Sequence, residues 1–151
     1  TRWCALLGVN NAADVAEMME GHRFRHFIRL NEALHDKAIA DIAADIAIQH
    51  KKIVLVAGPS SSGKTTFAQR LALHLNVIGL QPLVISLDNY YLDRDSIPLQ
   101  EDGTLDLEAI STLDVPLFRQ HLAELLDGRE VLLPTFSFKQ LCCRFLYFCH
   151  R

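Results

Sequence analysis

Residues 51–75 read KKIVLVAGPSSSGKTTFAQRLALHL, and two patterns stand back to back in them. The first, Ile53–Ala57, is a short β-branched run without polar alternation, the pattern of a strand buried on both faces of a parallel sheet. The second, from Lys64, places Phe67, Leu71 and Leu75 on one stripe at helical spacing, with Gly79 where a helix would stop. Between them, Gly58–Thr65 reads G-P-S-S-S-G-K-T and satisfies G-x-x-x-x-G-K-[ST] in full. A strand running into this loop and the loop running into a helix is the context that gives the motif its mechanism. The glycines permit a tight turn, so backbone N–H groups across Gly58, Ser60, Ser61, Ser62, Gly63, Lys64, Thr65 and Thr66 can face phosphate oxygens. The helix starting near Lys64 adds the positive end of its dipole. Lys64 is placed to reach the β- and γ-phosphates of ATP, and the Thr65 hydroxyl to ligate Mg²⁺. A plain Ser/Gly-rich connector would not need a lysine and a threonine at the first helical positions.

Outward from the loop, PLVISLD (82–88) reads as a second buried strand, so strand, helix and strand form a βαβ unit with parallel strands. Groups at the carboxyl ends of adjacent parallel strands face one crevice, which puts Asp88 beside the phosphate loop. There a carboxylate can accept the proton of an attacking hydroxyl or hold Mg²⁺ through water. Tyr90 and Tyr91 follow, an aromatic pair suited to a planar base or a sugar face. The alternative makes Asp88 a turn cap and the tyrosines loop anchors. DVPLFRQHLAELLDG is a helix with Asp114 as N-cap, Pro116 in its first turn and Gly128 as its stop. A helical turn is expected near Leu107–Ser111, and REVLLPTF as a third strand ended by Pro134.

Residues 1–50 read as helical. NAADVAEMMEGH has an Asn/Asp-rich start and a stop at Gly21, and RLNEALHDKAIADIAADIAIQHKK aligns Leu30, Leu34, Ala38, Ile42 and Ile46 on one stripe, with Asn31 as its cap. His22, His26 and His35 read as surface histidines. The expected fold is therefore α/β: an incomplete P-loop NTPase-type parallel sheet with flanking helices (51–139), a helical N-terminal segment (1–50) and an atypical Cys-rich tail (140–151).

Composition bounds the partners. The chain has 151 residues, half of them hydrophobic, and a net charge of −3. That gives no bulk attraction for nucleic acid or a membrane surface, and no apolar run reaches the roughly 18–20 residues of a bilayer span. No signal-peptide pattern opens the chain. Of four cysteines, Cys142, Cys143 and Cys149 crowd the last ten residues beyond Cys4. This is no disulfide framework, so a reducing cytoplasm is the expected setting. The spacing of those three with His150 matches no usual zinc pattern.

The stretches GPSSSGKTTFAQRL, ISLDNYYLDRD and DGREVLLPTFSF, in this order, resemble the uridine kinase and phosphoribulokinase family. RLNEALHDKAIADIA is similar to a segment of the bacterial members that carry a threonyl-tRNA-synthetase-like region before the kinase. The likeness covers about residues 23–139. It implies ATP- and Mg²⁺-dependent phosphorylation of a small-molecule nucleoside, uridine first, at its 5′-hydroxyl. Lys64 and Thr65 would hold ATP phosphate and Mg²⁺, Asp88 would be the catalytic base, and Tyr91 would contact the pyrimidine. Asp106 would bind the ribose hydroxyls, with a longer spacing to Asp114 than in the family, and Phe136 replaces a base-contacting tyrosine. After Lys139 the resemblance stops, and QLCCRFLYFCHR offers no counterpart to the family's second acidic Mg²⁺ residue, its lid arginines or its remaining strands. A nucleotide-binding module without turnover and a kinase of a phosphopentose are the rival readings. A GTPase lacks its guanine-reading N-K-x-D stretch in this sequence. Homo-oligomerisation is left open.

Overall fold

The computed structural model describes residues 2–19, 23–93, 96–97, 109–137 and 142–149. Its helices are α1 (Arg2–Leu7), α2 (Ala12–Met19), α3 (Arg23–Ile48), α4 (Lys64–Val77) and α5 (Val115–Leu126), and its strands are β1 (Val131–Ser137) and β2 (Cys142–Cys149). Short 3₁₀ turns stand at Leu87–Tyr90 and Ile110–Thr112. The chain divides after Pro82 into two compact units, a division that falls inside the 51–139 segment.

In the first unit, local chemistry explains the helix ends. Asn11 caps α2: its Oδ1 accepts from Ala13 N at 2.8 Å and Asp14 N at 3.1 Å, while Asp14 Oδ2 accepts from Asn11 N at 3.2 Å. That is a reciprocal capping box. The stop expected at Gly21 lies outside the described residues. Helix α3 runs 26 residues, about 39 Å, without a Gly or Pro to break it. Asn31 is therefore mid-helix and caps nothing at an N-terminus. The helix starts earlier because Phe24 and Phe27 continue the apolar pattern, their rings stacked at 6.4 Å. Its end is closed by His50, which takes φ 50° while Lys51 N donates to Ile46 O at 3.1 Å and His50 N to Ala47 O at 3.1 Å, the Schellman arrangement. Gly79 ends α4 in the same way, as its place in the sequence predicts.

The buried seam is turned from the expected stripe. Ile39 and Ala43 of α3 are buried with Leu71 and Leu75 of α4, and Ile46 and Phe67 pack against them. Ile42 is 40 % exposed. Ile39 and Ile42 are about 60° apart around the helix at 3.6 residues per turn, so the position of α4 decides which edge of a broad apolar face is covered.

The parallel sheet is where the structure departs most from expectation. Residues 53–59 and 80–86 are irregular and carry no ladder among the described residues. Leu55 is 86 % exposed, and Ile53, Val54, Leu83 and Val84 lie at the surface. A buried parallel strand needs hydrogen-bonded neighbours and covered faces; the apolar runs mark a demand for burial without supplying either.

The ladder that forms is in the second unit, where β1 pairs antiparallel with β2 from Val131↔Cys149 to Ser137↔Cys142. Pro134 does not end β1. The register slips between Leu133 and Pro134, skipping Leu146 on β2, and a bulge tolerates a residue with no N–H to donate. Helix α5 begins as the sequence predicts: Asp114 Oδ1 accepts from Leu117 N at 2.9 Å, a proline lies in the first turn, and Gly128 closes the end at φ 77°. The helical turn expected near 107–111 appears as the 3₁₀ turn at Ile110–Thr112. Among the described residues no helix is long and apolar enough to cross a membrane.

Candidate active site

The phosphate-loop candidates lie wholly within the first unit. Backbone strain shapes it: Ser61 has φ 56° and Gly63 φ 83°, left-handed conformations that side chains disfavour. A turn closes from Ser62 N to Pro59 O at 3.3 Å. A Cβ at Gly58 would lie 2.9 Å from Ser62 Oγ, so a larger residue there would displace the Ser62 hydroxyl. The Lys64 ammonium curls back inside the loop, donating to Gly58 O at 2.8 Å and Pro59 O at 2.7 Å. It therefore braces the loop that it would serve.

Gly63 is the N-cap of α4 and no side chain caps that end. The first-turn N–H groups lack intrahelical acceptors by helix geometry, and the dipole adds positive potential. An uncapped helix start, a left-handed glycine and a lysine at the mouth fit a phosphate chain. The Ser60, Ser61, Ser62, Thr65 and Thr66 side chains are exposed, so the Thr65 hydroxyl is accessible to a phosphate-bound Mg²⁺. A groove of about 700 Å³ opens beside the loop, bounded by Ser62, Gly63, Lys64 and Thr66 on one side and by His35, Phe67, Arg70 and residues 54–57 on the other.

Sequence reading missed the polar clamp that seats α4. Asp36 of α3 accepts from Arg70 at 3.1 Å and pairs with His74 Nε2 at 3.2 Å, and His35 Nδ1 lies 3.4 Å from Arg70. The hydrogen bond with His74 is the largest influence; desolvation, the next largest, opposes it, and the charges of His74 and Arg70 with the Arg70 hydrogen bond add to it, so the Asp36 carboxyl is held below its ordinary value. Arg70 and His74 are four apart on α4, hence on one face. That spacing was the available signal.

The second unit holds the acceptor-side candidates. Asp88 is exposed on the Leu87–Tyr90 turn, its N–H donating to Ser86 Oγ at 3.3 Å. The two tyrosines part company. Tyr90 is 2 % exposed, its hydroxyl 3.1 Å from His121 Nδ1 and its ring edge-on to Phe118 at 5.2 Å, the geometry of a loop anchor. Tyr91 is half-buried and tilts against Phe136 with ring centroids 5.4 Å apart, so those two site candidates do meet. Asp106 lies outside the described residues. His121 and Asn89, whose Oδ1 accepts from Phe136 N at 3.3 Å, escaped sequence reading. His121 was detectable as the polar residue on the apolar face of α5, three from Phe118 and four from Leu117 and Leu125.

No protein-family model matches the chain, and no solved structure does. Curated proteins match it in part. A uridine kinase of Lactobacillus helveticus (strain DPC 4571) is 33 % identical over 88 residues, 58 % of this chain and 41 % of the relative. One of Deinococcus deserti is 35 % identical over 88 residues, 58 % of this chain and 42 % of that protein. One of Chloroflexus aurantiacus (strain ATCC 29366 / DSM 635 / J-10-fl) is 37 % identical over 87 residues, 57 % and 40 % respectively. The chain thus spans about two fifths of the length of the relatives it matches. Over these stretches the chain is similar to uridine kinases.

Proposed function

We propose that the protein acts in ATP- and Mg²⁺-dependent phosphoryl transfer to the 5′-hydroxyl of a nucleoside, uridine first, in the cytoplasm. The observation that carries this reading is the phosphate loop: an uncapped helix start behind a left-handed glycine, with Lys64 at its mouth. The uridine kinase relatives support the choice of acceptor.

The loop N–H groups and Lys64 bind and orient the β- and γ-phosphates, and Thr65 is the residue to hold Mg²⁺, whose chemistry when bound is to neutralise charge on those phosphates. Asp88 takes the proton of the attacking hydroxyl, or holds the metal through water. Tyr91 and Phe136 form an aromatic wall for the pyrimidine, buried Tyr90 anchors the segment that carries Tyr91, and Asp106 is proposed for the ribose hydroxyls.

Titration calorimetry with uridine, cytidine and ribulose 5-phosphate tests the acceptor. Heat with a nucleoside is expected; heat with the phosphopentose alone would move the reading to that acceptor. A second reading, ATP binding without turnover, is favoured by one fact: the phosphate loop is built entirely inside the first unit. A coupled kinase assay separates the two. Asp88→Ala is expected to cut kcat by about a hundredfold or more, the usual scale of general-base catalysis, with ATP affinity unchanged. Equal background rates in both proteins leave only the binding role.

A further inference from the structure

The second unit buries two polar side chains among its described residues, Thr112 at 1 % and His121 at 7 % exposure, and phosphoryl transfer calls on neither. Only the His121 side chain meets the turn that carries Asp88, through Tyr90; the Thr112 hydroxyl donates to Ala109 O at 2.6 Å. We infer that His121 is a positioning residue for Asp88 and Tyr91, acting through the Tyr90 hydroxyl; the inference rests on the reading that those two residues face the acceptor.

The turn Leu87–Tyr90 is a four-residue 3₁₀ segment, a form with poor internal hydrogen bonding. Its order comes from outside. Asp114 N donates to Tyr90 O at 2.8 Å, Leu92 N donates to Thr112 O at 2.8 Å, and the segment meets Leu113 in an isolated bridge at Tyr91. These bonds fix the backbone on one side. Two side chains of the turn tie it further: Asn89 Oδ1 accepts from Phe136 N at 3.3 Å, and Tyr90 is buried against α5 with its hydroxyl 3.1 Å from His121 Nδ1. Two apolar side chains would fill that space without desolvating a hydroxyl and an imidazole. What the hydrogen bond adds is direction: it sets where along α5 the tyrosine tip sits, and so where the turn places its two flanking site residues. Asp88 precedes Tyr90 by two residues and Tyr91 follows it, so any slip of the anchor moves both.

Three variants test this on the whole chain: His121→Leu, His121→Asn, which keeps a polar atom near the Nδ1 position, and the shape-matched pair Tyr90→Phe with His121→Leu. Amide hydrogen exchange is read at Asn89, Leu92 and Asp114, whose N–H groups close the turn, and kcat and KM for uridine and ATP are measured alongside. His121→Leu is expected to speed exchange at these amides by about tenfold, the lower end of the effect of stranding a buried partner, and to lower kcat with KM for ATP unchanged. His121→Asn is expected to recover most of both. The double variant decides the role. If His121 only satisfies a buried group, removing both partners restores wild-type exchange and kcat; if it positions the turn, exchange stays fast and kcat stays low in a protein that melts normally. Unchanged exchange in His121→Leu, or full recovery in the double variant, overturns the inference. A wild-type chain with no transfer to any nucleoside, yet with the expected exchange pattern, overturns the proposed activity and leaves the positioning of the turn by His121 standing.

Discussion

Gly63 has φ 83° with nothing within 4 Å of where a Cβ would lie, so its role is purely conformational. Gly63→Ala is expected to cost about 1–2 kcal/mol through the left-handed backbone alone, read as a lower denaturation midpoint at constant m-value, and to weaken ATP binding as the loop relaxes. Unaltered stability would mean that the loop is not held in this conformation. At Gly58 the constraint differs: the obstacle is the Ser62 hydroxyl at 2.9 Å. Both glycines stood out in the sequence because the motif spaces them around a turn. His50 did not, since a histidine in the left-handed region is recognised only from the hydrogen bonds that close α3 around it. The Tyr90–Tyr91 pair shows the same division. The residue types announced aromatic surface beside a carboxylate, but which ring faces inward depends on Phe118 and His121, some thirty positions along the chain.

At the scale of elements, helices were legible where their signals are local. The Asp114 cap and the stops at Gly79 and Gly128 all appear as read, because capping needs only a few neighbouring residues. The seating of α3 on α4 was not legible, since it depends on contacts between segments more than thirty residues apart, Asp36 with Arg70 and His74 among them. That clamp has a pH signature. The Asp36 carboxyl is held below its ordinary value of 3.8, so folding favours its charged form. The stabilisation is complete above the unfolded value and disappears as pH falls through the lower folded one. Asp36→Asn is therefore expected to lower the thermal midpoint near neutral pH, with the difference from wild type closing below about pH 4. A difference constant down to pH 2 would show that the carboxylate charge is not what matters. Asp36 is half-exposed, so the effect is expected to shrink in high salt.

For the molecule as a whole, the sequence predicts Ile53–Ala57 as a buried strand of a parallel sheet. The structure gives it no ladder and leaves Leu55 86 % exposed. Leu55→Glu is accordingly expected to change stability by less than about 0.5 kcal/mol, the range of surface substitutions. In a buried strand the same charge would cost several kcal/mol, so a large loss measured by urea unfolding would restore the parallel sheet. The strands that do pair, β1 and β2, include residues whose pattern announced no partner, and a bulge at Pro134 makes their pairing feasible. Sequence alone determined what acts over a few residues: the phosphate loop, the helix that opens behind it, the caps and stops, and a family likeness carried by short motifs. Tertiary structure decided which helix edge is buried, which tyrosine is an anchor and which segments share a ladder. Turn and cap geometry is written in neighbouring residues, whereas burial and strand pairing belong to contacts between distant parts of the chain and exist only once both partners are in place.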